Sequence, residues 1–210
     1  MGKSWLSWYW QLKLVGVVIG GVIATTGLCP TSLAQITPDN TLGAESSVVT
    51  PFNAAIEIIN GGATRGANLF HSFSDFNIDE GRGAYFFSPA GIENILSRVT
   101  GGNPSNIFGI LGTFGDSNPN FFLLNPNGVL FGENAQLDLQ GSFFVSTANA
   151  IGFGEEGFFS ATKPETPQLL TVNPDAFFFS MVAAQQNQAI ESRAFLSVPE
   201  GESLVFLDGN

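Results

Sequence analysis

The side chains that could do chemistry in this sequence are few, and their spacing suits few reactions. His71 is the only histidine and stands in Asn68-Leu69-Phe70-His71-Ser72-Phe73, with Ser74 and Asp75 just beyond. A Ser-His-Asp unit is defined by proximity in space, not along the chain, and no G-x-S-x-G turn exposes a serine. His71 therefore reads as a structural histidine at a strand edge. With one histidine and one cysteine, Cys29, a zinc site has too few nitrogen and sulfur ligands. Asp75-Phe76-Asn77-Ile78-Asp79-Glu80-Gly81 sets oxygen ligands at alternate positions, as the start of a calcium loop does. The glycine then falls one place late, and Phe86 occupies the place of the bidentate acid. Gly152-Phe153-Gly154-Glu155-Glu156-Gly157 matches G-x-G-x-x-G, but Phe158-Phe159-Ser160 and a proline-rich stretch follow where a nucleotide-binding helix is required, so it reads as a turn. Glycosidic cleavage needs only two carboxylates about 5 to 9 Å apart. Eighteen acidic residues leave that alternative open. No residue is assigned a catalytic role, and no metal or cofactor is expected.

The residues with the most informative spacing make turns. In Asn125-Pro126-Asn127-Gly128, Pro126 presets φ at the second turn position and Gly128 closes the fourth, while the Asn125 side chain can bond the backbone two residues on. Asn103-Pro104-Ser105 is a second turn of the same kind.

The elements such turns would join are short strands. Ala55-Ile56-Glu57-Ile58 and Ala135-Gln136-Leu137-Asp138-Leu139-Gln140 alternate apolar and polar. Phe121 to Leu124, Val129 to Phe131, Phe143 to Val145, Phe177 to Phe179 and Leu204 to Leu207 are continuous apolar runs, and Asn, Gly and Pro separate them. One segment is ambiguous: Ile92, Ile95, Leu96 and Val99 sit at helical spacing between Ser88-Pro89 and Gly101, yet Asn94 to Val99 is short enough for a strand. An all-β chain leaves a sandwich, a membrane barrel or a solenoid. A barrel wants strands of about ten residues and aromatic girdles, whereas from Gln35 onward there is no Trp and one Tyr, Tyr85. Double and triple Phe clusters suit the narrow interior of a solenoid, but pattern alone does not separate solenoid from sandwich.

Composition divides the chain. All three Trp lie in the first ten residues, and all 21 Phe lie at Phe52 or later. Residues 1–34 read as a signal peptide: Lys3 and Lys13 are the positive region, Leu14 to Leu28 is uncharged, and Ser32 and Ala34 sit at the small-residue positions of a cleavage site between Ala34 and Gln35. The uncharged run falls short of the roughly 20 residues that span a bilayer, so no stable membrane insertion is expected after cleavage. Residues 35–210 would then carry five basic residues against 18 acidic ones, a balance of −13, and no cysteine. Such a chain repels nucleic acid and anionic lipid, and packing must hold it together without disulfides.

The combination of Asn103-Pro104-Ser105-Asn106-Ile107-Phe108-Gly109, Asn125-Pro126-Asn127-Gly128-Val129, the Asn68-to-Phe73 segment and Ser142 to Ala148 resembles the N-terminal secretion domain of filamentous haemagglutinin-type exoproteins, the passengers of two-partner secretion. The likeness covers about residues 37–208. One departure is that Asn118-Pro119-Asn120-Phe121, the nearest string to an N-P-N-L motif of some members, lies almost against the second motif. The resemblance implies an all-β, right-handed parallel β-helix with capping strands over residues 35–210, and makes Asn94 to Val99 a strand. It implies a non-enzymatic domain that targets secretion and nucleates the β-helix of a surface or secreted adhesin-like exoprotein. It also implies that a partner outer-membrane transporter recognises the chain in the periplasm, through Asn103, Pro104, Ser105 and Gly109 and through Asn125, Pro126, Asn127 and Gly128. Members continue for hundreds of residues, so a coding sequence truncated or split at its C-terminal end is expected.

Overall fold

The structure, a computed structural model, describes residues 36–167, 170–178 and 189–208. Its strands wind as a parallel solenoid of about four coils with three walls. The first wall stacks Asn68–Phe76, Asn94–Val99, Asn120–Leu124, Phe143–Ser146 and Leu204–Leu207. The second stacks Ile56–Gly61, Gly83–Ser88, Ile110–Gly115 and Gln136–Asp138, and the third Ser105–Ile107, Val129–Phe131 and Ile190–Ser192. Each wall is an open stack rather than a closed ring, so the membrane-barrel alternative and the sandwich both give way to the solenoid. Antiparallel strands close the first coil: Ser47–Pro51 pairs with Ile56–Gly61, and Ile36–Pro38 pairs with Asn68–Phe76.

Parallel sheets are stable when both faces are covered, and the first wall shows how this chain covers them. Leu69, Ile95, Phe121 and Phe143 stand in register and point into the solenoid, where Phe86 lies 4.7 Å from Phe121 in an edge contact. The next residues along, Phe70, Leu96, Phe122 and Phe144, form a row on the outer face. An excursion leaves the solenoid after Ser146, builds an antiparallel sheet from Ala150–Gly152, Phe158–Ser160 and Ala176–Phe178, and lies over that row. Phe153, Phe159 and Leu170 from the excursion and Leu42 from the N-terminal arm complete a second core there. The phenylalanines are thus shared between two cores rather than filling the solenoid alone.

This arrangement resolves the ambiguous segment. Asn94–Val99 is a strand in which every residue is buried. Covered on both faces, it has no polar side from which alternation could be read, and its apolar residues fell into helical spacing by default. Register along this wall is marked by Asn68, Asn94 and Asn120, which form a ladder: the Asn94 Nδ2 donates to Asn68 Oδ1 at 2.9 Å, and the Asn120 Nδ2 to Asn94 Oδ1 at 3.2 Å.

Candidate functional site: the stacked asparagine-proline corner

Both Asn-Pro turns occupy the same corner of the solenoid, between the first and third walls, on adjacent coils. The third-wall strands that follow them pair in parallel, with Ser105 opposite Val129. Asn125 is fully buried and joins the two turns. Its Nδ2 donates to the Ser105 Oγ at 3.0 Å and to the Asn103 carbonyl at 3.1 Å. Its Oδ1 accepts from the Asn127 amide at 2.9 Å, the bond two residues on that turn chemistry predicts. The Gly128 amide closes the turn on the Asn125 carbonyl at 3.1 Å, and Gly128 has φ +106°, a conformation other residues rarely adopt. The Asn127 Nδ2 reaches back to the Gly101 carbonyl at 2.8 Å, and the Asn103 Nδ2 to Asp75 Oδ1 at 2.7 Å, so three successive coils are tied at this corner.

The eight motif residues separate by burial. Ser105, Gly109, Asn125, Pro126 and Gly128 are buried, Asn127 is half-buried, and Asn103 and Pro104 are exposed. Pro104, Asn127, Gly128, Val129, Ala189 and Glu191 border one shallow groove of about 240 Å³ on the outer side of the corner. Gly109 lies away from this groove. A Cβ on it would stand 2.1 Å from the Arg82 carbonyl oxygen and 2.5 Å from that of Asp79, so glycine is required there by the close approach of the preceding coil. The cleavage positions Ala34 and Gln35 lie outside the described residues.

The other candidates resolve into structural roles. His71 sits inside the solenoid in the middle of Asn68–Phe76, not at a strand edge, with Phe86 5.1 Å from its ring and the Ser47 Oγ 3.0 Å from Nδ1. Burial pushes its pKa down to about 3, which keeps the ring neutral. Two oxygens of the calcium-like string bond the neighbouring coil: Asn77 Oδ1 accepts from the Asn106 amide at 2.9 Å, and Asp75 Oδ1 from the Asn103 Nδ2 at 2.7 Å. Among the described residues no group of three His, Cys, Asp or Glu side chains is placed to hold a metal. The G-x-G-x-x-G string is the turn of an antiparallel hairpin between Ala150–Gly152 and Phe158–Ser160.

Sequence reading missed the most polar buried cluster. Arg98 is completely buried on the outer face of the first wall, beneath the excursion and against the arm. Its Nε donates to the Ser72 Oγ, and its terminal nitrogens donate to the Thr41 Oγ1 and to the Ser160 and Glu165 carbonyls, all at 2.8–3.0 Å. Phe159 lies 4.4 Å beneath the guanidinium carbon. Burial lowers the Arg98 pKa to about 10, against which the Asp39 charge acts, so Arg98 stays charged near neutral pH. Burial alone would raise the Asp39 carboxyl, but bonds from Thr100, Thr41 and Ser72 outweigh it and hold the group below its ordinary value. Nothing in the local sequence of Arg98 signals burial, because its partners come from segments far along the chain.

The structure is thus a capped parallel β-helix whose distinctive residues gather at one polar corner. The chain belongs to the TPS secretion domain family, whose model matches residues 34–210. Its fold is similar to that in the crystal structure of the HMW1 secretion domain from Haemophilus influenzae, with a TM-score of 0.57 and 19% identity, over 84% of this chain and 41% of that one. Over 73 residues it is 38% identical to Outer membrane protein B of Rickettsia prowazekii (strain Madrid E), which is 35% of this chain and 4% of that protein. The chain therefore spans a small fraction of that curated relative and under half of the solved HMW1 chain. Neither likeness supports the sugar-cleaving alternative.

Proposed function

We propose that this domain directs its own export across the outer membrane: a partner transporter of the two-partner secretion type binds it in the periplasm, and the domain then seeds the β-helix at the cell surface or outside the cell. The carrying observation is the corner itself. Two motifs 22 residues apart meet through one buried amide, that of Asn125, in a chain of the TPS secretion domain family. In this reading the eight residues have two tasks. Ser105, Asn125 and Pro126 act inward, fixing the corner as the coils close, and Gly109 lets the preceding coil approach just past the far end of the strand that starts at Ser105. Pro104, Asn127 and the rim of Gly128 border the groove, Asn103 stands exposed beside them, and these four are what the transporter reads. Strand addition to an open edge supplies the sequence-independent part of the affinity. Residues 1–34 serve as the leader, removed between Ala34 and Gln35.

The test is secretion from cells that carry the transporter. Asn125→Ala together with Pro126→Ala should lower the secreted fraction severalfold while periplasmic chain accumulates. Normal secretion of the double variant would sink the proposal.

A further inference from the structure

We propose that Arg98 is a clasp that makes docking of the N-terminal arm (residues 36–45) and of the excursion (residues 148–178) onto the first wall a single all-or-none event. The guanidinium is divided between them. From the arm it takes the Thr41 Oγ1, at 2.8 Å, and through Ser72 the Asp39 carboxylate, whose Oδ2 accepts from the Ser72 Oγ at 2.8 Å. From the excursion it takes the Ser160 and Glu165 carbonyls, at 2.9 and 3.0 Å, and the face of Phe159. Further bonds join arm and excursion: Thr166 donates to the Thr41 carbonyl at 3.2 Å, and Arg65 donates to the Pro167 carbonyl at 2.9 Å and to Glu45.

The physical argument concerns the half-docked states. With both segments in place, all three guanidinium nitrogens donate and one face is covered by Phe159. With both away, Arg98 stands on an open sheet and is hydrated. If the excursion docks alone, it seals the cation from water but withholds the Thr41 hydroxyl and the Asp39 charge; if the arm docks alone, two carbonyls and the aromatic face are missing. A desolvated cation stripped of partners is strongly unfavourable, so both intermediates are disfavoured relative to either end state. An apolar side chain at this position would impose no such penalty on either. The inference does not depend on the export reading. Where that reading holds, a chain leaving N-terminus first keeps its arm loose until the excursion follows.

Hydrogen exchange on the full-length chain separates the possibilities. The Asp39 amide, bonded to the Ser72 carbonyl, reports the arm, and the Ala161 amide, bonded to the Asn149 carbonyl within the excursion, reports the excursion, because so small a sheet is not stable away from the wall. In the wild type the two should open together, with the same dependence on urea. Thr41→Val removes from the arm the hydroxyl that accepts from Arg98 and donates to the Asp39 Oδ1, and it should speed both amides by a similar factor, about tenfold. Arg98→Met, which keeps the bulk and removes the charge, should break the link, so that the two rates differ by about tenfold. Independent opening in the wild type overturns the clasp. So does a Thr41→Val effect confined to Asp39, and so do amides that remain linked in folded Arg98→Met. If Arg98→Met does not fold, the wild-type and Thr41→Val arms decide the matter.

Discussion

Replacing Asn125 by alanine removes an amide that serves two coils at once, and it leaves the Asn103 carbonyl and the Asn127 amide without their partner. The expected cost is about 1 to 3 kcal/mol, the range for polar groups left unsatisfied in a buried site, read as a lower urea midpoint at unchanged slope. His71 gives a prediction in pH. Its pKa in the folded chain, about 3, lies below the ordinary 6.5, so the unfolded chain binds the extra proton between those values. Its contribution is present above pH 6.5 and is lost as pH falls toward 3, by about 1.4 kcal/mol per pH unit at most. Asp39 loses stability in the same direction at lower pH, so the diagnostic is a difference: His71→Leu should flatten the fall of stability between pH 6 and 4 relative to wild type. The turn at Asn125 was legible in the sequence because its chemistry acts over four residues. The need for Gly109 was legible only as a motif position, because the carbonyl that forbids a side chain belongs to Arg82, one coil away.

Strands with one face in water and strands with none carry different amounts of information. Gln136–Asp138 shows its alternation openly, with exposed residues on either side of Leu137. Along the first wall the two cores erase that signal, and Phe121 to Leu124 announces burial without saying on which side. The excursion that supplies the second cover shows in the sequence as a turn at Gly152 to Gly157, a proline-rich stretch and the apolar run from Phe177, with nothing to say that it folds back over the first wall. Its docking makes Phe122 as consequential as any residue inside the solenoid: the ring stacks on Phe144 at 4.6 Å and 6°. Phe122→Ala should cost about 3 to 5 kcal/mol. The loss should appear first as protease cleavage within the excursion, while the inward-facing neighbour Phe121 keeps the coil closed. Cleavage that begins instead in the second wall would contradict the two-core description.

At the scale of the whole molecule, the coil repeat was hidden by unequal spacing. Equivalent positions on the first wall lie 26 residues apart from Asn68 to Asn94 and from Asn94 to Asn120. The step is then 22 residues to Ser142, and 61 from there to Ser203. A period that shortens once and then opens around an insertion defeats self-comparison of the sequence, and the motifs carried the solenoid assignment instead. If the leader is removed as proposed, every tryptophan goes with it. Secreted protein should then show only the emission of Tyr85, and tryptophan fluorescence from it would mean that the leader is retained. The stitching of the excursion has a further consequence, for variation. Arg65, Asn68 and Arg98 hold it by the backbone carbonyls of Pro167, Leu170, Val172, Ser160 and Glu165. A carbonyl is the same whatever side chain it accompanies. The surface of the excursion is therefore free to drift through substitution while the three donors beneath it are not, and the domain can change its outer face without loosening its grip on it.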